Sequence, residues 1–79
     1  MRILGVDPGL TRCGFGVIDT LPARKAAMVA VDVFRTPSAD SVDLRLGSLA
    51  EAFDTWLDTH RPDVVAIERV FARNDVSTI

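Results

Sequence analysis

The feature that most constrains this chain is a short apolar run that ends in an acid, a proline and a glycine. Residues 2–6 are mainly apolar and are followed by Asp7, Pro8 and Gly9. Such a run is typical of a strand buried on both faces. Pro8 has no N–H to donate to a sheet, and Gly9 favours a turn with positive φ, so the strand ends here. A carboxylate at the end of a central strand is costly to bury unless it is paired, hydrogen-bonded or bound to a cation.

A second apolar run, residues 64–67, also ends in an acid, Glu68. One such acid can simply be a solvated residue, whereas two strands that both end in a carboxylate favour a shared site. Residues 11–16, which follow the first acid, are small or polar apart from Phe15 and leave room for a large anionic ligand. The ends of these two strands are therefore the candidate site.

The composition excludes several classes of protein. A chain of 79 residues is enough for one small domain, although a core of this size is marginal. The apolar runs are too short to cross a membrane, and the N-terminus lacks the pattern of a secretory leader. The single cysteine excludes an internal disulfide, and no Cys/His spacing indicates a zinc site. We therefore expect a cytoplasmic protein without membrane contact.

The net charge of −2 and the pI of about 5.1 are not those of a simple nucleic-acid-binding protein. The distribution of the basic residues is more informative than the total. Eight of the nine are arginines, and Arg12, Arg69 and Arg73 flank the two acids. They predict a local basic rim around an acidic pocket.

Apolar patterns and turn signals predict an α/β fold with three strands, one helix and a fourth strand. Asp40 or Ser41 caps the start of the helix, and Pro62 stops it. The predicted strands cover residues 2–7, 14–19, 26–35 and 64–68, and the helix lies between the third and the fourth.

Side-chain patterns assign faces to two of these elements. The apolar stripe of the helix has helical spacing and is expected to face the sheet; it consists of Leu46, Leu49, Ala50, Phe53, Trp56 and Leu57. In the third strand, strict alternation places Val29, Val31 and Val33 on one face. The other face is predicted to carry Met28, Ala30, Asp32 and Phe34. The acid on that face indicates partial solvation or the edge of a sheet.

Short connections make the first three strands antiparallel neighbours, and the helix makes the fourth strand parallel to the third. The fourth strand is also parallel to the first and can pair with either, so the residues alone leave this choice open. Beside the first strand, it would bring Asp7 and Glu68 to one edge of strands about 4.8 Å apart. Two acids so close repel each other unless a divalent cation such as Mg²⁺ binds between or beside them.

Three stretches together resemble the RuvC family of Holliday junction resolvases. They are Ile-Leu-Gly-Val-Asp-Pro-Gly at 3–9, Thr-Arg-Cys-Gly-Phe-Gly-Val-Ile at 11–18 and Asp-Val-Val-Ala-Ile-Glu-Arg-Val-Phe at 63–71. The likeness extends over the whole chain, including Arg35-Thr36 and the helix. It implies an RNase H-like mixed sheet: an antiparallel meander of the first three strands, one helix, and a parallel fourth strand beside the first. It also implies that residues 1–79 are the N-terminal part of one nuclease domain whose C-terminal half is absent.

The resemblance implies a function in DNA recombination and repair. Family members are Mg²⁺-dependent homodimeric endonucleases that resolve four-way DNA junctions by paired symmetric nicks, and they work with the RuvA and RuvB branch-migration proteins. Two metal ions are implied for each complete active site, with Mn²⁺ as a substitute.

The resemblance also assigns roles to particular residues. Asp7 matches the first catalytic, metal-binding carboxylate and Glu68 the second. Phe71 matches an aromatic residue directed at junction bases. We predict further DNA contacts at Arg12, Arg69, Arg73 and Asn74. Asp75 departs from the family, which often carries Asn there. The remaining carboxylates lie on a later helix, so the 79 residues alone are expected to be inactive.

Three alternatives fit parts of the pattern. An actin-like ATPase or kinase also has a strand, an acid, a glycine-rich turn and a strand in its phosphate-binding half, but the stretch after Glu68 does not belong to that pattern. A YqgF-type nuclease shares the RNase H-like fold and an acid on the first strand. The third alternative is an interaction module in which both acids are merely solvated.

Overall fold

The apolar runs form one four-stranded mixed sheet with a helix on one face. The computed structural model describes residues 1–68. Its elements are β1 (Arg2–Asp7), β2 (Arg12–Leu21), β3 (Lys25–Arg35), α1 (Val42–His60) and β4 (Val64–Ile67). The strand order is β3-β2-β1-β4, with β4 parallel to β1 and the other neighbours antiparallel. The fourth strand therefore lies beside the first, as the resemblance implied.

The turn between β1 and β2 needs a glycine for a reason that differs from the predicted one. Gly9 does not have a positive φ, so the expectation of a left-handed turn residue there is wrong. A Cβ at this position would instead overlap the backbone carbonyl of Arg12. A side chain is excluded at Gly9 because two backbone segments approach closely there, not because the residue has a left-handed conformation.

Strand β3 carries an irregularity that strict alternation did not predict. Val17 of β2 pairs with Ala30, whereas the next residue, Ile18, pairs with Met28. Val29 is therefore the extra residue of a β-bulge. The bulge puts Met28 on the same face as Val31 and contradicts the predicted grouping of these side chains.

The buried core lies between the sheet and α1. Its fully or largely buried members are Leu4, Val6, Cys13, Phe15 and Val17. Phe15 stacks on Trp56, with 5.2 Å between ring centroids, and contacts Phe53 at 6.2 Å. Partly buried side chains that complete the core are Phe34, Leu49, Ala52, Phe53, Trp56 and Leu57. The helix therefore packs on the sheet through its apolar stripe, as expected.

The N-terminal part of the predicted helix stripe faces the sheet but is not covered. Leu46 is 55% exposed and Ala50 is also exposed, and both line an open cavity between α1 and the sheet, whereas Ala52 packs against the core. The buried stripe continues instead to Arg45, one helical turn before Leu49.

The ends of α1 form as predicted. The Ser41 hydroxyl accepts a hydrogen bond from the N–H of Leu44 at 3.4 Å. At the other end, Arg61 adopts a left-handed conformation, with φ of 49°, and donates its N–H to the carbonyl of Leu57 at 2.9 Å. Pro62 follows and prevents a further turn. No helix within residues 1–68 is long and apolar enough to cross a membrane.

Candidate active site

The two predicted acids meet at one edge of the sheet. Asp7 is the last residue of β1, and Glu68 directly follows β4. Val6 pairs with Ile67 in the parallel ladder, and the N–H of Glu68 donates to the carbonyl of Val6 at 3.0 Å. The pairing therefore extends by one step and brings the two carboxylates to neighbouring positions.

Both carboxylates lie on the face of the sheet that α1 leaves open. Buried Val6 faces the helix, and alternation along β1 turns Asp7 to the opposite face. A Cβ on Gly14 would lie 3.5 Å from the Cβ of Asp7, which shows that the position opposite Asp7 on β2 points the same way. An open cavity of about 520 Å³ runs along this face from Gly5 and Ala66 to the two acids.

The electrostatics of the pair differ from those of two solvated acids. Hydrogen bonding with Asp7 raises the pKa of the Glu68 carboxyl, and the negative charge of Asp7 raises it further. Both effects require the two groups to be close, and both oppose a second negative charge at this edge. The ionisation of each acid is therefore unfavourable to that of the other.

A hard divalent cation suits this donor set. Carboxylate oxygens are the protein ligands that Mg²⁺ prefers, and one cation would remove the repulsion that raises the pKa of Glu68. Within residues 1–68, no group of three or more acidic, histidine or cysteine side chains could hold a metal ion. The described part of the chain thus brings two acids together at this site, Asp7 and Glu68.

Arg12, a predicted contact with DNA, lies on the strand next to Asp7. It is the exposed first residue of β2, two residues before Gly14, the partner of Asp7. This spacing places it on the same face as Asp7. The side chain of Arg12 makes no hydrogen bond or ion pair with another residue of the described range 1–68. Its partner across the sheet is a second exposed arginine, Arg35 of β3.

A buried arginine beside this edge was missed by the sequence analysis. Arg45, in the first turns of α1, is 9% exposed. Its guanidinium donates to the hydroxyl of Thr36 at 2.9 Å and to that of Thr11 at 2.8 Å. The Thr36 hydroxyl in turn donates to the carbonyl of Leu10. The signal was present, since Arg45 precedes Leu49 by four residues and so lies on the buried stripe.

The other predicted contacts with DNA, Phe71, Arg69, Arg73 and Asn74, lie outside the described residues. The same is true of Asp75. Their roles stay predictions.

The sequence resembles a family of DNA-processing enzymes over nearly its whole length. The family described as Crossover junction endodeoxyribonuclease RuvC matches residues 3–79. Relatives of that name from Saccharopolyspora erythraea and Rhodococcus opacus are 58% and 59% identical over 79 and 78 residues. The matches cover 100% and 99% of this chain but 40% and 41% of those relatives. The chain therefore spans about two-fifths of the length of the curated relatives it matches.

The fold is also similar to a solved structure, that of Thermus thermophilus RuvC in complex with a Holliday junction substrate. The TM-score is 0.82 at 28% sequence identity. The similarity covers 99% of this chain and 51% of that one. It shows an RNase H-like fold for this chain, whose sheet has β4 parallel to β1.

Proposed function

Since the chain belongs to the RuvC family of crossover junction endodeoxyribonucleases, we propose that it supplies the first half of the active site of a nuclease that resolves four-way DNA junctions. The observation that carries the proposal is the pairing of Asp7 with Glu68 on the open face of the sheet. A carboxylate pair that disfavours its own second charge is suited to a cation, and a cation makes an acidic site attractive to a phosphodiester. The reaction is the hydrolysis of one phosphodiester in each of two symmetric strands, leaving 5′-phosphate and 3′-hydroxyl ends.

Asp7 and Glu68 are the residues that would hold Mg²⁺ or Mn²⁺. Bound metal supplies an activated water and charge stabilisation at the leaving oxygen, and two ions are proposed for the complete site. The protein holds the ligands in place by main-chain geometry. Asp7 is fixed by the ladder between β1 and β2, and Glu68 by its N–H bond to Val6. The main chain at both residues is therefore fixed by the sheet, which supports a preformed site.

The 79 residues by themselves are proposed to be inactive. They contribute two carboxylates, and the further ligands belong to a later helix of a longer domain. The relatives are more than twice as long as this chain, which supports this interpretation. Junction cleavage by the purified 79-residue chain, free of contaminating nuclease, would contradict it.

The proposed full-length protein acts as a homodimer in the cytoplasm, on junction DNA, together with RuvA and RuvB. Two symmetric nicks require two active sites, which a dimer supplies. Light scattering of the full-length protein, alone and with a synthetic junction, tests this part. A monomer that makes paired nicks would refute the dimer.

The decisive experiment separates binding from cleavage in the full-length protein. Asp7→Asn and Glu68→Gln retain the side-chain shape but remove the charge that a metal needs. We expect cleavage of a synthetic four-way junction to fall by more than 100-fold, while the Kd for the junction in EDTA is unchanged or lower.

Asp54→Asn is the matched control, since Asp54 is an exposed acid on α1. It should cleave at the wild-type rate. A rate near wild type for either Asp7→Asn or Glu68→Gln would show that the residue is not a metal ligand.

A further inference from the structure

Two exposed arginines lie opposite each other on the neighbouring strands β2 and β3, at the end of the sheet that carries the acids. Arg12 of β2 is the cross-strand partner of Arg35 of β3. The N–H of Thr36 donates to the carbonyl of Thr11 at 3.1 Å, so these two residues form a hydrogen-bonded pair. The alternation of an antiparallel ladder then makes Arg12 and Arg35 a non-hydrogen-bonded pair, in which opposite side chains lie closest.

Like charges directly opposite each other are destabilising, and this pair has no visible compensation in the described part of the chain. Among residues 1–68, no carboxylate lies within ion-pairing distance of either guanidinium. Neither side chain donates a hydrogen bond to a described residue. A cross-strand arginine pair without an acid is suited to an external anion that both guanidiniums can contact.

A third guanidinium lies on the opposite, helix-facing side of the same strand ends. Buried Arg45 bonds to the hydroxyls of Thr11 and Thr36, the residues that directly adjoin Arg12 and Arg35. All partners of Arg45 within the described range are neutral oxygens. Its positive charge is therefore not cancelled locally, and it adds to the potential at the arginine pair. Its hydrogen bonds also fix the two strand ends from which the pair projects.

The pair is placed to contact DNA whose scissile phosphodiester lies at the acids. Arg12 and Arg35 share the open face with Asp7. Two residues along a strand advance about 7 Å, and neighbouring strands lie about 5 Å apart, so the pair is within a few nucleotide lengths of the carboxylates.

We propose that Arg12 and Arg35 form a two-arginine clamp for a backbone phosphate of the junction strand that is cut, held in place by buried Arg45. This inference rests on the proposed function and adds to it a binding site with two named residues. The ligand is a phosphodiester within a DNA strand. The site carries no information about base sequence, because it contacts only the backbone.

The test measures how junction binding depends on salt. Each phosphate contact contributes about −0.9 to the slope of log K against log salt concentration. In the full-length protein, in EDTA, Arg12→Ala and Arg35→Ala should each weaken junction binding about tenfold at 0.1 M salt, as for one charged hydrogen-bonding contact. The double variant should reduce the slope by about one, not two, because both residues hold the same phosphate.

Arg24→Ala is the matched control, since Arg24 is an exposed arginine in the turn between β2 and β3, at the far end of the sheet. It should leave both Kd and slope unchanged. Inorganic phosphate and a short single strand serve as competing probes. The short single-stranded DNA should displace the junction from the wild type but not from the double variant. Millimolar phosphate should displace the junction from neither protein.

The outcomes distinguish the two proposals. If the wild type binds the junction but the double variant retains its affinity and salt slope, the clamp does not exist, while the metal site of Asp7 and Glu68 is unaffected. If Arg24→Ala lost junction affinity to the same extent, the effect would come from the change in net charge alone, and the clamp would also be refuted. If the wild type shows no junction binding, both the proposed function and the clamp are wrong.

Discussion

The two ends of the sheet differ in how their charged residues are paired: opposite charges meet at one end and like charges at the other. At the end near the N-terminus of β1, Arg2 holds Asp19 through two hydrogen bonds of 2.8 and 2.9 Å and donates a third, of 3.0 Å, to the carbonyl of His60. Asp63 accepts the N–H of Arg2 at 2.7 Å. At the other end, Asp7 adjoins a like charge, Glu68.

The pKa values record this difference. The hydrogen bond from Arg2 lowers the pKa of Asp19, whereas hydrogen bonding and repulsion involving Asp7 raise that of Glu68. The charge pair at one end therefore stabilises the fold, whereas the pair at the other end is unfavourable when both acids are ionised. Under the proposed function, the same strands carry a structural charge pair at one end and the active-site acids at the other.

The largest expected effect is a separation of activity from stability between the two ends. In the full-length protein, Asp7→Asn should reduce cleavage by more than 100-fold without lowering the melting temperature. Asp19→Asn should lower the melting temperature because it breaks the ion pair with Arg2, but cleavage well below that temperature should stay within about twofold of wild type. Cleavage rates and thermal melts of the two variants, measured side by side, check this. If Asp19→Asn lost cleavage at a temperature where it is fully folded, the two ends would not differ in function as proposed.

A second effect is expected at the buried network near the functional end. Arg45→Met retains much of the apolar stem but leaves the hydroxyls of Thr11 and Thr36 without their donor. We expect a loss of about 1–3 kcal/mol in the free energy of unfolding, as for buried polar groups that lose a partner. Urea unfolding of the full-length protein measures it, with Arg61→Met at the exposed helix end as the control. An unchanged midpoint would show that the network contributes nothing to the fold.

The dependence of stability on pH should have opposite signs at the two ends. The pKa of Asp19 is lowered from 3.8, so its pair stabilises the fold above that pH and is lost as the pH falls through the lowered value. The pKa of Glu68 is raised from 4.5, so its ionisation destabilises the fold as the pH rises through the raised value.

In EDTA, Glu68→Gln should therefore raise the urea midpoint at pH 7 and lose this advantage below pH 4.5. Asp19→Asn should lower the midpoint at pH 7 and approach wild type only in stronger acid. Urea titrations between about pH 3 and pH 7 measure both. A Glu68→Gln variant that is less stable than wild type at neutral pH would contradict the repulsion at the functional end.

The smallest expected effect concerns the turn between β2 and β3. Arg24 has a φ of 59°, a left-handed conformation that is unfavourable for a residue with a side chain. Arg24→Gly should stabilise the protein by about 0.5–1 kcal/mol, since glycine adopts this conformation without strain. Arg24→Ala is the control and should give little gain. Equal midpoints for the glycine and alanine variants would mean that the turn is not strained.

Local pattern was sufficient for most of the elements. The helix start at Ser41, its end before Pro62 and the position of all four strands follow from capping, proline and periodicity, which act over a few residues. The two acids were also found locally, because each ends an apolar run. The resemblance then supplied the choice of neighbour for β4, which the residues alone had left open.

Tertiary structure decided the features that depend on distant segments. The bulge at Val29 follows from the register between β2 and β3, and Gly9 is required by the backbone of Arg12. Arg45 is buried because it reaches hydroxyls on two segments next to β2 and β3; its spacing from Leu49 places it on the buried stripe but does not identify these partners. The approach of Asp7 to Glu68 also depends on distant segments, because β1 and β4 pair although the two acids are 61 positions apart. The sequence by itself determined only that each strand ends in an acid.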